Sequence, residues 1–489
     1  MLVTCEQMSE AEKRLFSSGL SPEPFMDEAG RICAHAIREF YPRPARAEIY
    51  CGSGNNGGDA LVIARWLKQW GWKTNLHFSH GPDQISELAT IKLKQYESCS
   101  APPNLPECRD LVLVDGLLGI GATGALRGGI RERADQINSL RENAWAACFA
   151  IDIPTGLNAD TGEAYEGAVI ADYTLSICQA KAGFVADDAT NYLGRVIEIP
   201  LDIPVSEGDE SRRFLFPSNL TPRLVRREYD FHKGKAGRVV IVAGSKGLTG
   251  AAALTALGAS RTGAGLVSVC APEEVYPIFA SQCPLEAMVH PGQSADDITA
   301  LSPDVIAIGP GLGKTISDGL VDLILNHPAP MIVDADALNA LAHRGISPDQ
   351  LPANRLLTPH PGELSRLTGQ TGGRVALTRK LADDWNITLL HKGARTVIAT
   401  PGHPVELNTT GHPGMASGGM GDVLTGICAA LVGQGLNLHD AACVGSWLLG
   451  RAAELARDER GIAAESINAP AVAEQIGKAL RALQSDPPF

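Results

Sequence analysis

The chain has 489 residues, 44% of them hydrophobic and only 5% aromatic, which is enough for two or three domains with full cores. Its net charge is −13, with −10 on residues 1–216 and −3 on residues 217–489, so neither half has the basic balance of a nucleic-acid binder. No apolar run approaches the roughly 20 residues of a membrane span, which excludes a helical membrane protein.

The start, Met1-Leu2-Val3-Thr4-Cys5-Glu6, lacks a basic or apolar leader. Eleven cysteines are scattered singly with no CxxC pair, most of them inside apolar runs. They read as small core hydrophobes in a reducing compartment. We expect a cytoplasmic protein with no nucleic-acid or membrane partner.

Ala47 to Cys51 predicts a short buried strand. It runs into the glycine loop Gly52-Ser53-Gly54-Asn55-Asn56-Gly57-Gly58-Asp59, and Ala60 to Trp70 predicts a helix. Leu111 to Val114 is a strand ending at Asp115, and Ala146 to Ile151 another ending at Asp152. Asp59, Asp115 and Asp152 thus lie at or just after strand ends, beside glycine or proline loops. Each alone fits a turn or a cap. Together they mark the carboxyl edge of a parallel sheet, where open α/β sheets bind ligands. A doubly wound parallel sheet is expected.

Pro204 to Ser218 is polar and without periodicity, and we place the boundary there, with domains 1–216 and 217–489. The alternation then restarts with a strand at Arg238 to Ala243, the loop Gly244 to Gly250 and an Ala-rich helix. Leu266 to Cys270, Val305 to Ile308, Met331 to Val333 and Thr388 to Leu390 predict further buried strands. Arg223, Arg226, Arg227, Lys233 and Lys235 form the one basic cluster and read as a solvated face.

Several second-half turns follow strands. Gly309-Pro310-Gly311-Leu312-Gly313 fits a simple Pro-Gly turn or a ligand loop. Asp334-Ala335-Asp336 fits a helix cap or a support for a metal–phosphate unit. Thr358-Pro359-His360-Pro361-Gly362-Glu363 sets a His and a Glu in a rigid turn. His391-Lys392-Gly393-Ala394-Arg395-Thr396 fits a surface hairpin or a phosphate grip. Most informative is Thr410 to Gly426, where six glycines lead into an apolar helix predicted over Val423 to Leu431. Such a loop gathers backbone N–H groups around an anion. Asp422 would repel that anion unless it takes a proton from a hydroxyl while the loop steadies phosphoryl charge.

The first-half motifs Asn55–Asp59, Val114–Gly119 and Ile151–Leu157 resemble the NAD(P)H-hydrate epimerase domain, a Rossmann-like doubly wound sheet. Gly309–Gly313, Thr358–Glu363, Lys392–Ala394 and Gly414–Asp422 resemble the ribokinase-like α/β NAD(P)H-hydrate dehydratase domain. Order and spacing match the bifunctional bacterial fusion over nearly the whole chain. Ala60 stands where the family usually has Gly, Thr155 replaces the commoner Ser, and Ile120 with the glycines after Gly119 alters the usual loop.

The resemblance implies repair of hydrated NADH and NADPH. One domain interconverts the R and S hydrates, and the other restores the S form using ADP, giving AMP and phosphate. It implies that Asn55, Asn56, Gly57, Gly58, Asp59, Gly119 and Asp152 bind the hydrate, with Asp152 as acid or base. Asn56, Asp115 and Thr155 would surround a potassium ion. In the second domain Gly311, His360 and Asp422 would contact the hydrate. Lys392, Gly393, Ala394, Arg395, Thr396 and Gly421 would hold ADP with magnesium, and Asp422 would be the base. A homo-oligomer is expected. Two other readings remain open here: a ribokinase-like vitamin kinase with an accessory domain, and a first domain acting only as scaffold or ligand sensor.

Overall fold

The computed structural model of the protein describes residues 1–102 and 110–485. The chain divides into two compact units between Arg212 and Arg213.

In the first unit, helix α1 (Pro22–Phe40) precedes strand β1 (Arg46–Cys51), helix α2 (Asn55–Gln69), β2 (Lys73–Phe78), β3 (Leu111–Gly116), α3 (Gly128–Asn143), β4 (Ala147–Ile151), β5 (Tyr173–Ile177) and β6 (Arg195–Ile199). The strands form one parallel sheet in the order β2-β1-β3-β4-β5-β6. Side chains alternate across it, as a pleated strand requires. Val112 and Val114 enter the core on one face, and Leu111 and Leu113 the core on the other. A strand buried on both faces reads as a continuous apolar run, which is why β3 and β4 are visible in the sequence. The chain leaves β1 for β2 and returns on the other side to β3. The crevice between β1 and β3 is therefore the switch point where such sheets bind ligands. There Gly52 N–H donates to Gly116 O at 2.9 Å.

Helix α2 begins at Asn55, five residues before the predicted start, so Asn55, Asn56, Gly57, Gly58 and Asp59 form its first turns and not a loop. Glycines count against a helix by propensity, but here they make room for it. A Cβ on Gly57 would lie 2.1 Å from Gly52 O, and one on Gly58 2.6 Å from Met26 Sδ. Tertiary packing overrides propensity.

The second unit contributes β7 (Arg212–Leu215), β8 (Arg238–Val242), α4 (Thr249–Thr262), β9 (Leu266–Ala271), β10 (Met288–Pro291), β11 (Val305–Ile308), β12 (Met331–Val333), α5 (Ala335–His343), β13 (Arg355–Leu357), α6 (Pro361–Thr368), β14 (Thr388–His391), β15 (Val397–Ala399), β16 (Val405–Asn408), α7 (Met420–Gly433) and α8 (Leu438–Arg460). The sheet order is β10-β9-β8-β11-β12-β13-β14-β15-β16-β7. Strands β10 to β14 are parallel, and β15 and β16 turn back antiparallel. Val239 and Ile241 face one core, Val240 and Val242 the other. The order reverses between β8 and β11, a second switch point. Gly244 N–H donates to Pro310 O at 2.7 Å, and Ser245 Oγ to Gly311 O at 2.9 Å.

Two expectations need correction. The stretch 204–218 is not wholly irregular: β7 lies within it, and Phe214 and Leu215 are buried. Two arginines open the strand, so no apolar run marks it in the sequence. Arg223 is not part of a solvated face. Its guanidinium forms a fork on the buried Glu406, with bonds of 2.7 and 2.6 Å. Strand β13 was hidden for a related reason. It opens on Arg355, which is fully buried and donates to the carbonyls of Ile324, His327 and Ala329. Among the described residues no helix is long and apolar enough to cross a membrane.

Candidate active sites

At the first switch point, three predicted residues meet at the turn Leu117-Leu118. Asn56 donates its amide to Leu118 O at 2.9 Å. Asp115 accepts Leu117 N–H at 3.2 Å, and Thr155 Oγ1 accepts Leu118 N–H at 3.1 Å. Asp115 also accepts from Thr155 N–H and Thr155 Oγ1, both at 2.8 Å. The carboxylate is fully buried, and among the described residues no cationic side chain pairs with it. Burial pushes its pKa up to about 6, against the opposing hydrogen bonds from Thr155 and Leu117. The amide oxygen of Asn56 faces Gly119, where an ideal Cβ would lie 3.8 Å from it. One uncompensated carboxylate among neutral oxygens suits a large monovalent cation better than a divalent one, so the donor set fits potassium.

Asp152 has a left-handed backbone, φ 63°, a costly conformation for a non-glycine residue outside a loose turn. That twist points its carboxylate at Ile177 N–H, 3.0 Å away, and at the ammonium of Lys181, with which it forms an ion pair. Lys181 is fully buried and also donates to Ile177 O at 3.0 Å. Asp59 lies near this pair. Its pKa is pushed well up by burial, then by the charges of Asp152 and Glu12. Burial, followed by Asp152, raises Glu12 as well. Sequence reasoning missed Lys181 and Glu12. Lys181 left a signal, a lone charge between Ala180 and Ala182, whereas Glu12 on an amphipathic helix left none. A cavity of about 290 Å³ is lined by Gly119 and Thr155 together with His80, Arg127 and Tyr165. A groove of about 850 Å³ is lined by Asn55 and Glu12. The N-terminus of α2 therefore has open space beside it.

In the second unit Asp422 lies in the first turn of α7, whose N-cap, Gly419, has φ 91° and no side-chain cap. The helix extends two residues past the predicted end and starts three earlier. Its uncapped N–H groups and dipole favour an anion. Lys392 lies against this end: a Cβ on Gly421 would sit 3.4 Å from its Nζ and 3.6 Å from Asp334 Oδ2. Lys392 Nζ donates to Asp334 Oδ1 at 2.6 Å and lies 3.8 Å from Glu363. Burial opposes its charge, but Asp334 and Glu363 outweigh that and hold its pKa above the ordinary lysine value. For Asp422, burial and then the charge of Asp334 push the pKa up to about 6, with Lys392 opposing and Asp336 adding. That is where a general base for neutral pH should titrate.

His360 is the N-cap of α6. Its Nδ1 accepts Gly362 N–H at 3.0 Å, and its own N–H donates to Glu363 at 2.8 Å, a capping box that leaves the imidazole half exposed. Pro359 O takes Lys392 N–H at 2.9 Å, so the histidine turn and the lysine turn are joined. Gly309, Gly311 and Gly313 all have positive φ, and Gly313 N–H donates to Asp336 at 2.8 Å. Asp336 thereby links the turn containing Gly311 to the field at Asp422. In Lys392–Thr396 the turn closes through Thr396 Oγ1 to Gly393 O at 3.2 Å, with Gly393 and Ala394 exposed. The Arg395 guanidinium lies 5.5 Å over the ring of Phe214. Sequence reasoning placed Asp334 as a helix cap or a support for a metal–phosphate unit and Glu363 in the histidine turn, named neither as a site residue, and missed Thr425. The aspartate was visible as a strand-end acid, but nothing in the sequence pairs it with a lysine 58 residues away.

A family model described as NAD(P)H-hydrate dehydratase matches residues 239–477, and one described as YjeF-related protein N-terminus matches residues 22–183. A bifunctional NAD(P)H-hydrate repair enzyme of Moorella thermoacetica is 37% identical, over 94% of this chain and 93% of its own. The enzyme of the same name from Escherichia coli is 36% identical over 89% and 86%. The solved ADP/ATP-dependent NAD(P)H-hydrate dehydratase of Bacillus subtilis, co-crystallised with ATP and magnesium, is 31% identical with a TM-score of 0.50. It covers 55% of this chain and 98% of its own. On this identity across both units, the chain belongs to the family of bifunctional NAD(P)H-hydrate repair enzymes.

Proposed function

We propose that the first unit interconverts the R and S hydrates of NADH and NADPH, and that the second dehydrates the S hydrate at the expense of ADP. The observation that carries the second half is the meeting of Asp422, whose pKa burial pushes up to about 6, with Lys392 at the uncapped N-terminus of α7. A base for a hydroxyl proton and a grip for phosphoryl charge are the two things this chemistry needs.

Asp422 takes the proton of the ring hydroxyl, and the freed oxygen attacks the terminal phosphorus of ADP. The P–O bond to AMP breaks. The ring now carries phosphate, a far better leaving group than hydroxide, and the ring nitrogen's electron pair expels it. Loss of the proton on the neighbouring carbon restores the ring double bond. Magnesium arrives as part of the nucleotide substrate, in keeping with the nucleotide and metal of the Bacillus subtilis relative. Lys392 and the turn to Thr396, with Gly421, hold the nucleotide. His360 and Gly311 hold the hydrate. The protein's share is positioning and charge stabilisation.

In the first unit Asn55 to Asp59 and Gly119 bind the hydrate, and Asp152 moves the proton, oriented by Lys181 and Ile177 N–H. Asn56, Asp115 and Thr155 would hold potassium, which supplies positive charge beside the substrate's phosphates. Among the described residues ten cysteines are free and eight of them buried, which supports a reducing, cytoplasmic setting.

The test is direct. Mixed NADH hydrates are given to the protein, and recovery of reduced-nicotinamide absorbance is followed with and without ADP. Full recovery with ADP and none without is expected. Recovery independent of nucleotide would overturn the scheme. A stable phosphate ester accumulating in place of NADH would point instead to a kinase.

A further inference from the structure

Asp334 stands at the end of β12, and the residue after it opens α5. An aspartate there normally caps the helix with its side chain. Here it does not: as N-cap of α5 it makes no side-chain cap hydrogen bond. The next residue, Ala335, has φ 49°, a strained conformation for alanine. The twist lets the chain enter α5 while the carboxylate turns away from it. Both oxygens are used elsewhere. Oδ1 accepts Lys392 Nζ at 2.6 Å, and Oδ2 accepts Thr425 Oγ1 at 2.8 Å. Asp334 is buried to within 1%.

These bonds join three elements. Lys392 follows β14, and Thr425 lies three residues after Asp422 on α7, about one turn along and on the same face. Gly421 keeps the space between them narrow, since a Cβ there would touch both Nζ and Oδ2. Backbone contacts brace the strand end as well: Asp334 N–H donates to Ile308 O at 3.0 Å, and a Cβ on Gly309 would lie 1.8 Å from Asp334 O. The carboxylate cannot drift.

From this we infer that Asp334 is a positioning residue of the second site, holding the Lys392 ammonium against the N-terminus of α7 through one oxygen and fixing the Asp422 turn through the other. The inference deepens the dehydratase reading and rests on it for its kinetic test alone. Its charge matters beyond geometry. The charged groups that face Asp422 are Asp334, Lys392 and Asp336, and Glu363 faces Lys392. Removing the negative charge of Asp334 lowers the proton affinity of both Asp422 and Lys392.

Three variants separate the roles. In Asp334→Asn, kcat for ADP-dependent recovery of NADH falls about tenfold or more. The acid limb of the pH profile moves down by about one unit toward the ordinary carboxylate range. Asp334→Glu keeps the charge and restores the limb, at a lower kcat. Thr425→Val cuts only the tie to α7, so kcat falls while the limb stays. A purely structural Asp334 would lower heat stability and leave the limb in place, and that result overturns the proposal. Amine labelling of Lys392 by mass spectrometry gives a second readout that needs no hydrate chemistry. In Asp334→Asn its labelling midpoint shifts to lower pH, and an unshifted midpoint in a folded variant overturns the ion-pair role. Wild-type protein that fails to recover NADH with ADP would sink the dehydratase reading, while the labelling result would still decide Asp334.

Discussion

Asp115 takes two hydrogen bonds from one residue, Thr155, through its backbone N–H and its hydroxyl, each 2.8 Å long. The pair clamps the end of β3 to the loop after β4. It also gathers the oxygens that would face a cation. Thr155→Ser keeps the hydroxyl and should keep epimerisation in potassium. Asp115→Ala should lower epimerisation and hydrate affinity together, and should leave dehydration of pure S hydrate unchanged. Rates are compared in potassium and in potassium-free buffer. Equal epimerisation in both buffers for both proteins, with the variant only less heat-stable, would leave a structural clamp and no ion site.

Asp422→Asn should abolish NADH recovery, since the amide cannot accept the proton and loss of a general base costs about 10²–10⁴ in rate. The same change should stabilise the fold. The folded-state pKa of Asp422 lies near 6, above its unfolded value. The folded protein therefore holds the proton more tightly between roughly pH 4 and 6, and stability falls as pH rises through that window. Above pH 6 the charged, half-buried carboxylate is a standing cost of about 1–3 kcal/mol. At pH 8 the inactive variant should melt higher than wild type, and the gap should close below pH 4. Melting curves at both pH values check it.

The same linkage applies to Asp115, also pushed up to about 6 by burial. In potassium-free buffer, wild type should lose stability between about pH 4 and 6 through this group. Added potassium at pH 8 should raise the melting temperature, because a ligand of the folded state stabilises it by mass action. Sodium at equal ionic strength is the control. No difference between the two salts would count against the site.

The two units should also separate, at a place the polar linker alone would misjudge. A C-terminal fragment starting at Asn219 omits β7, removing the buried Phe214 and Leu215 and the bond from Thr409 Oγ1 to Leu215 O at 2.7 Å. Each lost apolar side chain costs about 2 kcal/mol. A fragment starting before Arg212 should be soluble and ADP-dependent, and the shorter one markedly less heat-stable. Equal melting temperatures would show β7 to be dispensable.

Much of this was legible in the sequence for a physical reason. Strands such as Val239–Val242 and Leu111–Val114 are buried on both faces and so are apolar throughout. The strand-end acids Asp115 and Asp152 stand out against them, and Asp422 stands out where the glycine-rich loop runs into α7. What stayed hidden depends on distance along the chain. Lys181 meets Asp152, and Lys392 meets Asp334, only once the sheets have formed. The early start of α2 was masked because Gly57 and Gly58 oppose a helix locally and serve it only through what they touch. Arg355–Leu357 is as short as Met331–Val333 but opens on a charged residue, so it lacks the unbroken apolar run that marks the latter.

The packing behind Asp422 has a mechanical consequence. A Cβ on Gly426 would lie 2.0 Å from Thr255 O, and one on Gly258 2.4 Å from Val423 O. At these two positions helices α4 and α7 therefore touch backbone to backbone, with no side chain between them. The turn that bears Asp422 is seated like a bearing on a rail, free of sideways play. A single methyl at Gly426, one turn beyond the acid, would lever the whole helix and be felt at the reacting oxygen.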